Sequence, residues 1–208
     1  MTIVVHHLEN SRSQRILWLL EELELPYMIK HYERCSRTML APPELRRVHP
    51  LGKSPVIEDD GIVVSESGAI VEYLVEKAGK KLGAPADRCN CLRYRQFLHY
   101  AEGSLMPPLL ALLVVGRLGL LGRPARRPLL QMFSRHLDYL EAELSGRDWF
   151  AGDTITAADV MMSFPLEAAR ARAGLGPERR HLWDWLQRIH DRPAYQRALK
   201  AGGPYAYA

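Results

Sequence analysis

The stretch IVVHHLENSRSQRILWLL, residues 3–20, decides the fold. IVVHHL reads as a buried strand, short and rich in β-branched residues. It breaks at Glu9-Asn10. From Ser13 on, Ile16, Leu19, Leu20 and Leu23 recur at helical spacing and stop before Pro26. Asn10, Ser11, Arg12 and Ser13 therefore stand where a strand hands over to a helix. Two chemistries fit that position. Ser11 and Gln14 spell S-x-x-Q, a capping box in which the hydroxyl and the amide satisfy free helix N–H groups. The same turn offers hydroxyls beside a positive helix end, a place to hold an anion such as a thiolate.

Outward from this point the first 80 residues alternate strand and helix signals. YMIKHY (27–32) follows a helix and so reads as a strand parallel to the first, through a right-handed crossover. Residues 33–50 are irregular and contain one short helix. SPVIED and IVVSE flank Asp59-Asp60-Gly61, a hairpin signal. SGAIVEYLVEKAG then supplies an amphipathic helix ending near Gly79. The order βαβ-ββα predicts a four-stranded mixed sheet with helices. Beyond GKKLGAPADR the strand signals vanish, and residues 89–121, 126–145, 156–173 and 179–200 read as helices. Thr156 and Asp159 form a second capping box, and Ile155 is placed to staple against Val160. The expected domains are 1–80, α/β, and 88–208, all-helical.

Composition bounds the function. The net charge of +4 is modest and most basic residues alternate with acids, which argues against a nucleic-acid partner. The densest basic patch, Arg117, Arg123, Arg126 and Arg127, reads as a solvated loop between helices. No export signal is read at the N-terminus, and the apolar run LLALLVVG (109–116) is too short to span a bilayer; no membrane partner is expected. Cys35, Cys89 and Cys91 lack zinc or redox spacing, so reduced thiols and a cytoplasmic location are expected. His6-His7 lies on the first strand with one side chain to each face, which is not a metal geometry; no metal site is expected.

NSRSQRILWLLEEL (10–23), TMLAPPELRRVHPLGKSPVIEDDG (38–61), SESGAIVEYL (65–74) and TITAADV (154–160), in this order, resemble cytosolic glutathione transferases over essentially the whole chain. They are most similar to a bacterial and fungal serine-type branch close to the yeast-type transferases. The resemblance implies a thioredoxin-like N-terminal domain, an all-α C-terminal domain and a homodimer. No tyrosine precedes Tyr27 and no cysteine precedes Cys35, so the tyrosine- and cysteine-dependent classes do not fit.

What the resemblance implies about the site agrees with the chemistry of glutathione, a tripeptide with two carboxylates, an amine and a thiol. Ser54-Pro55-Val56 corresponds to the turn in which the family holds a cis proline, leaving the Val56 backbone to pair with the cysteinyl part of the ligand. Glu66 is matched to the ligand amine, and Ser67 to the γ-glutamyl carboxylate at a helix N-terminus. Lys53 is placed near the glycyl carboxylate, with His49 and Arg37 as lesser candidates. Ser11 occupies the position that donates a hydrogen bond to sulfur, lowering a thiol pKa of about 8.5. Asn10 is an alternative donor one residue earlier. Tyr100, Leu105 and Met106 on the helix 89–121 are candidate walls for an apolar electrophile. The expected function is glutathione conjugation to small apolar electrophiles, with hydroperoxide reduction as a second activity. Glutathione enters as cosubstrate, with no resident cofactor. The alternative is a non-catalytic binding module on the same fold.

Overall fold

The computed structural model describes residues 2–207. Contacts divide the chain into two units, residues 2–83 with 190–206, and residues 84–189 with Tyr207.

In the first unit β1 (Ile3–Leu8), β2 (Tyr27–Tyr32), β3 (Val56–Asp59) and β4 (Ile62–Ser65) form one sheet in the order β2-β1-β3-β4. β1 runs parallel to β2 and antiparallel to β3, and β3 turns into β4. Asp60 and Gly61 at the turn both have positive φ, 53° and 76°, as a tight hairpin requires. This is the expected thioredoxin-like arrangement. The period of two along β1 sends His7 to one face and His6 to the other, as read from the sequence. His6 bonds Tyr32 Oη and Glu58 Oε1, both at 2.9 Å.

Helices α1 (Ser13–Leu23) and α3 (Ser67–Lys77) pack together and against the sheet. α1 buries Ile16, Leu17, Trp18, Leu19 and Leu20 completely. It ends at Glu24, in the left-handed region, just before Pro26. A short α2 (Leu45–Val48) sets Leu45 against Leu8 and Tyr32 in a small separate cluster.

The second unit contains α4 (Arg88–Tyr100), α5 (Met106–Arg117), α6 (Arg123–Leu144), α7 (Ala157–Arg172) and most of α8 (Arg180–His190). The expected continuous helix 89–121 is corrected in two places. Residues Ala101–Leu105 form one π-helical turn between α4 and α5. Pro107 and Pro108 follow directly and have no N–H to give to the preceding turn, which favours a local change of winding. α5 then stops at Arg117, and a 3₁₀ turn, Gly119–Gly122, leads into α6. By length and composition Arg88–Arg117 would suffice to cross a membrane; here its apolar residues Phe97, Leu98, Leu105, Leu109 and Leu112 are core.

The capping box of α7 is present. Asp159 is fully buried; its Oδ2 accepts from the Thr156 N–H (2.9 Å) and hydroxyl (3.0 Å), and its Oδ1 from Phe150 N–H (2.9 Å) and Trp185 Nε1 (3.3 Å). The helix expected over 179–200 breaks at Asp191-Arg192. α9 (Pro193–Gly202) begins on Pro193, which tolerates the first helical position because its missing N–H would be unpaired there. α9 belongs to the first unit, where it packs on α1. Arg192 pairs with Glu22 (2.5 Å) and Arg197 with Glu21 (2.6 Å), while Tyr195 meets Trp18 edge-on. This departs from the expectation that assigned 88–208 to one helical domain.

Candidate functional site around the end of the first strand

Strand register brings the candidate residues together. His6 lies opposite Val56, and Val56 opposite Ser65. The end of β1, the turn before β3 and the exit of β4 therefore meet at one end of the strands. Asn10 and Ser11 leave that end from β1, Lys53 to Pro55 lead into it at β3, and Glu66 with Ser67 leave it into α3.

The turn after β1 is held from several sides. Asn10 has φ +49°, which asparagine tolerates better than most residues. Its Oδ1 accepts from Ala206 N–H at 2.7 Å. Arg34 donates to the carbonyls of Glu9 (3.1 Å) and Asn10 (3.3 Å). Nothing in the sequence pattern marks Arg34 for this task.

The capping box read from Ser11 and Gln14 does not form. Ser11 is 6% exposed, and its Oγ accepts from Ser13 N–H (3.2 Å) and lies 2.8 Å from Ser13 Oγ. Gln14 turns inward, beneath the end of α9; a Cβ at Gly202 would fall 2.5 Å from its Oε1. Neither polar atom of the Gln14 side chain has a partner among the described residues. The short α9-to-α1 approach displaces the amide from the helix end it was expected to cap.

Ser13, absent from the sequence-based candidates, is the centre of the cluster. Its Oγ bonds His7 Nδ1 at 2.9 Å and accepts from Leu8 N–H at 3.2 Å. His7 Nε2 lies beside Gly202, whose backbone favours the protonated ring; in the neutral ring a proton on Nε2 facing that backbone leaves Nδ1 as the acceptor. Burial, with the neighbouring His31 as a smaller cause, nonetheless lowers the His7 pKa to about 4. The ring is therefore neutral at pH 7 and its Nδ1 carries a lone pair. Ser13 Oγ has two acceptors in reach, this lone pair at 2.9 Å and the Leu8 carbonyl at 3.3 Å; donation along the shorter contact leaves the Ser11 proton free to point either to Ser13 Oγ or outward.

The Ser54–Pro55 peptide bond is cis and Pro55 is buried. The Ser54 hydroxyl donates to the His6 carbonyl (2.8 Å) and accepts from Leu8 N–H (3.3 Å), tying this turn to β1. Val56 is buried in the ladder, and Lys53 is exposed. His49 Nε2 lies 3.2 Å from Ser65 Oγ, while Arg37 is exposed on the loop after β2.

Glu66 has φ +70° and ψ +123°. That is outside even the left-handed helical region, a conformation costing a non-glycine residue on the order of 1–3 kcal/mol. It leaves the side chain exposed while the Glu66 carbonyl accepts the first helical bond, from Ile70 N–H at 2.9 Å. Ser67 follows, buried in the first turn of α3.

In the helical unit Tyr100 is half-buried and bonds His136 Nδ1 at 2.5 Å; burial pushes its hydroxyl up to about 12. Leu105 and Met106 face the core, Leu105 with no exposed surface. Of the three residues expected to wall an electrophile pocket, Tyr100 alone presents appreciable surface. Among the described residues no three of His, Cys, Asp and Glu gather as a metal site, and the three cysteines are free thiols.

Two family models match the sequence. The glutathione S-transferase N-terminal domain matches residues 2–76 and the C-terminal domain residues 123–188. Glutathione S-transferase 3 of Schizosaccharomyces pombe is 37% identical over 206 residues, covering 92% of this chain and 84% of its own. Glutathione S-transferase 1 of Saccharomyces cerevisiae is 33% identical over 218 residues, covering 93% and 92%. The crystal structure of a glutathione S-transferase from Actinobacillus pleuropneumoniae superposes with a TM-score of 0.87 at 32% identity, over 99% of this chain and 95% of that one. A glutathione transferase family member from Pseudomonas fluorescens, solved with two glutathione bound, has a TM-score of 0.80 at 26% identity, over 95% and 92%. From its first strand to its last helices, the chain belongs to the glutathione S-transferase family.

Proposed function

We propose that the protein binds glutathione at the end of strands β1 and β3 and transfers its thiolate to small apolar electrophiles. The carrying observation is the register that gathers Ser11, Pro55, Glu66 and Ser67 at one end of the strands. Glutathione bound in a Pseudomonas fluorescens relative supports the choice of ligand.

In this reading Glu66 faces the ligand amine, and its strained backbone is maintained for that contact. Ser67 and the free N–H groups of α3 receive the γ-glutamyl carboxylate. Lys53 meets the glycyl carboxylate. The Val56 backbone beside cis Pro55 pairs with the cysteinyl unit, and Ser54 holds that turn to β1. Ser11 donates to sulfur. Its proton swings from Ser13 Oγ to the thiolate, so no buried donor is stranded in either state. A hydrogen bond to the charged form stabilises thiolate over thiol. Asn10 serves the turn: it takes the positive φ there, and its Oδ1 accepts from Ala206 N–H. A hydroperoxide can take the electrophile's place. A cytoplasmic homodimer completes the reading; Ile62 and Val63, exposed on the edge strand β4, are apolar surface of the kind a partner subunit covers.

Retention on immobilised glutathione, followed by turnover of electrophiles including a hydroperoxide, tests the proposal. Retention with turnover is the expected result. Retention without turnover of any member would leave a binding module, and no retention would remove glutathione altogether.

A further inference from the structure

The hairpin tip between α5 and α6 carries surface that glutathione chemistry does not use. Leu118, Leu120 and Leu121 are exposed there, Leu120 by 71% and Leu121 by 87%. Arg117, Arg123, Arg126 and Arg127 flank them, all exposed, and no ion pair among the described residues involves any of the four. The charge is unopposed along the chain too: no Asp or Glu occurs between Glu102 and Asp138. The basic patch expected to be a loop is instead the end of one helix and the first turns of the next.

The tip is also a built turn. Gly119 sits at φ +58°, Leu121 N–H bonds the Leu118 carbonyl at 3.2 Å, and a Cβ at Gly122 would lie 2.0 Å from the Val115 carbonyl oxygen. Only glycine lets α6 start so close to α5. The close return presents the leucines outward without a loop that must be ordered on binding.

We infer that this tip docks on a lipid bilayer carrying anionic headgroups, the leucines entering the acyl boundary and the arginines meeting phosphate and carboxylate. An apolar projection ringed by cations of one sign matches an interface that is oily inside and negative at its rim. A second copy docked tip to tip is disfavoured by the same charges, since a two-fold contact sets each arginine cluster against itself. Lying on a bilayer needs only the tip and no spanning helix.

Co-sedimentation of the full chain with phosphatidylcholine vesicles containing increasing phosphatidylserine tests this. Binding should rise with the anionic fraction and fall with salt. Each arginine near such a surface is worth about fivefold in partition, so Arg123→Gln with Arg127→Gln should lose roughly 25-fold. Leu120→Asp with Leu121→Asp should lose binding at every composition while keeping the wild-type melting temperature, since both side chains are already in water. No sedimentation with anionic vesicles at low salt would overturn the inference, and so would undiminished binding of the aspartate variant. Sedimentation velocity adds a third arm: self-association that the aspartate variant abolishes would assign the tip to a second copy and overturn the lipid assignment.

Discussion

The hydroxyl oxygens of Ser11 and Ser13 lie 2.8 Å apart in a buried turn, and Ser13 continues to His7 Nδ1 at 2.9 Å. This chain gives the first serine a second place to put its proton. Ser11→Ala should therefore leave glutathione affinity nearly intact while raising the pKa of the bound thiol. A hydrogen bond to a charged group is worth about 1.5–3 kcal/mol, or roughly tenfold to somewhat over a hundredfold in conjugation rate. Thiolate absorbance across pH measures it. A thiol pKa unmoved in Ser11→Ala and raised in Asn10→Ala would pass the role to Asn10.

Ser13→Ala separates positioning from contact. It strands His7 Nδ1 and weakens the pairing of Leu8 N–H, so stability should fall by about 1–3 kcal/mol, the cost of an unsatisfied buried group. The thiol pKa should rise less than in Ser11→Ala, because Ser11 keeps its own proton. A rise equal to or larger than that of Ser11→Ala would make Ser13 the direct donor.

Much of this was legible from residue types. The strands, α1, the hairpin at Asp60-Gly61 and the Thr156–Asp159 cap each follow from local patterns that tertiary contacts reinforce. The Ser11–Gln14 box failed because a distant helix, α9, arrives over Gln14 and a nearer hydroxyl, Ser13, claims Ser11. Neither contact has a local signature. Helix position alone offers Leu105 and Met106 as pocket walls, whereas burial into the core is the commoner fate of such residues. The π turn at 101–105 sits beside Pro107-Pro108, a signal visible in the sequence that helical periodicity alone passes over.

Glutathione should stabilise the protein by about 2.7 kcal/mol at one hundred times its dissociation constant, as any ligand selective for the native state does. Glu66→Gln keeps the backbone demand at this position and removes the charge facing the amine. The unliganded melting temperature should stay put while the shift at fixed millimolar glutathione shrinks. An unchanged shift would show that Glu66 does not meet the ligand.

Asp159 is completely buried and accepts from four donors. Burial pushes its pKa up, against the pull of those donors. Asp159→Ala strands the donors of Thr156, Phe150 and Trp185 together and should cost about 3–5 kcal/mol, as breaking a buried charged network does. Thr156→Ala, which leaves two backbone donors and the indole on the carboxylate, should cost only about 0.5–2 kcal/mol. Urea unfolding of both variants gives the comparison, and equal losses would contradict the network.

The last prediction concerns pH. His7 is 3% exposed, and its pKa of about 4 lies below the unfolded value near 6.5. A base with a depressed folded pKa is bound by fewer protons in the native state than in the unfolded one. Its contribution is complete above about pH 6.5 and is lost as pH falls toward 4. At about 1.36 kcal/mol per unit, the loss reaches roughly 2 kcal/mol between pH 6.5 and 5. His6, also lowered by burial, acts with the same sign and persists in any His7 variant. Urea titrations of wild type and His7→Gln at pH 7.5, 6.5, 5.5 and 5.0 therefore isolate His7 by difference. The variant should begin less stable at pH 7.5, having lost a fitted partner for Ser13, and should decline less steeply on acidification. The two curves should converge toward pH 5. Parallel curves would mean that His7 stays solvated enough to titrate normally, and Ser13 could then face an imidazolium rather than a lone pair. In that case Nδ1–H would donate to Ser13, and the proton of Ser13 would turn toward Ser11.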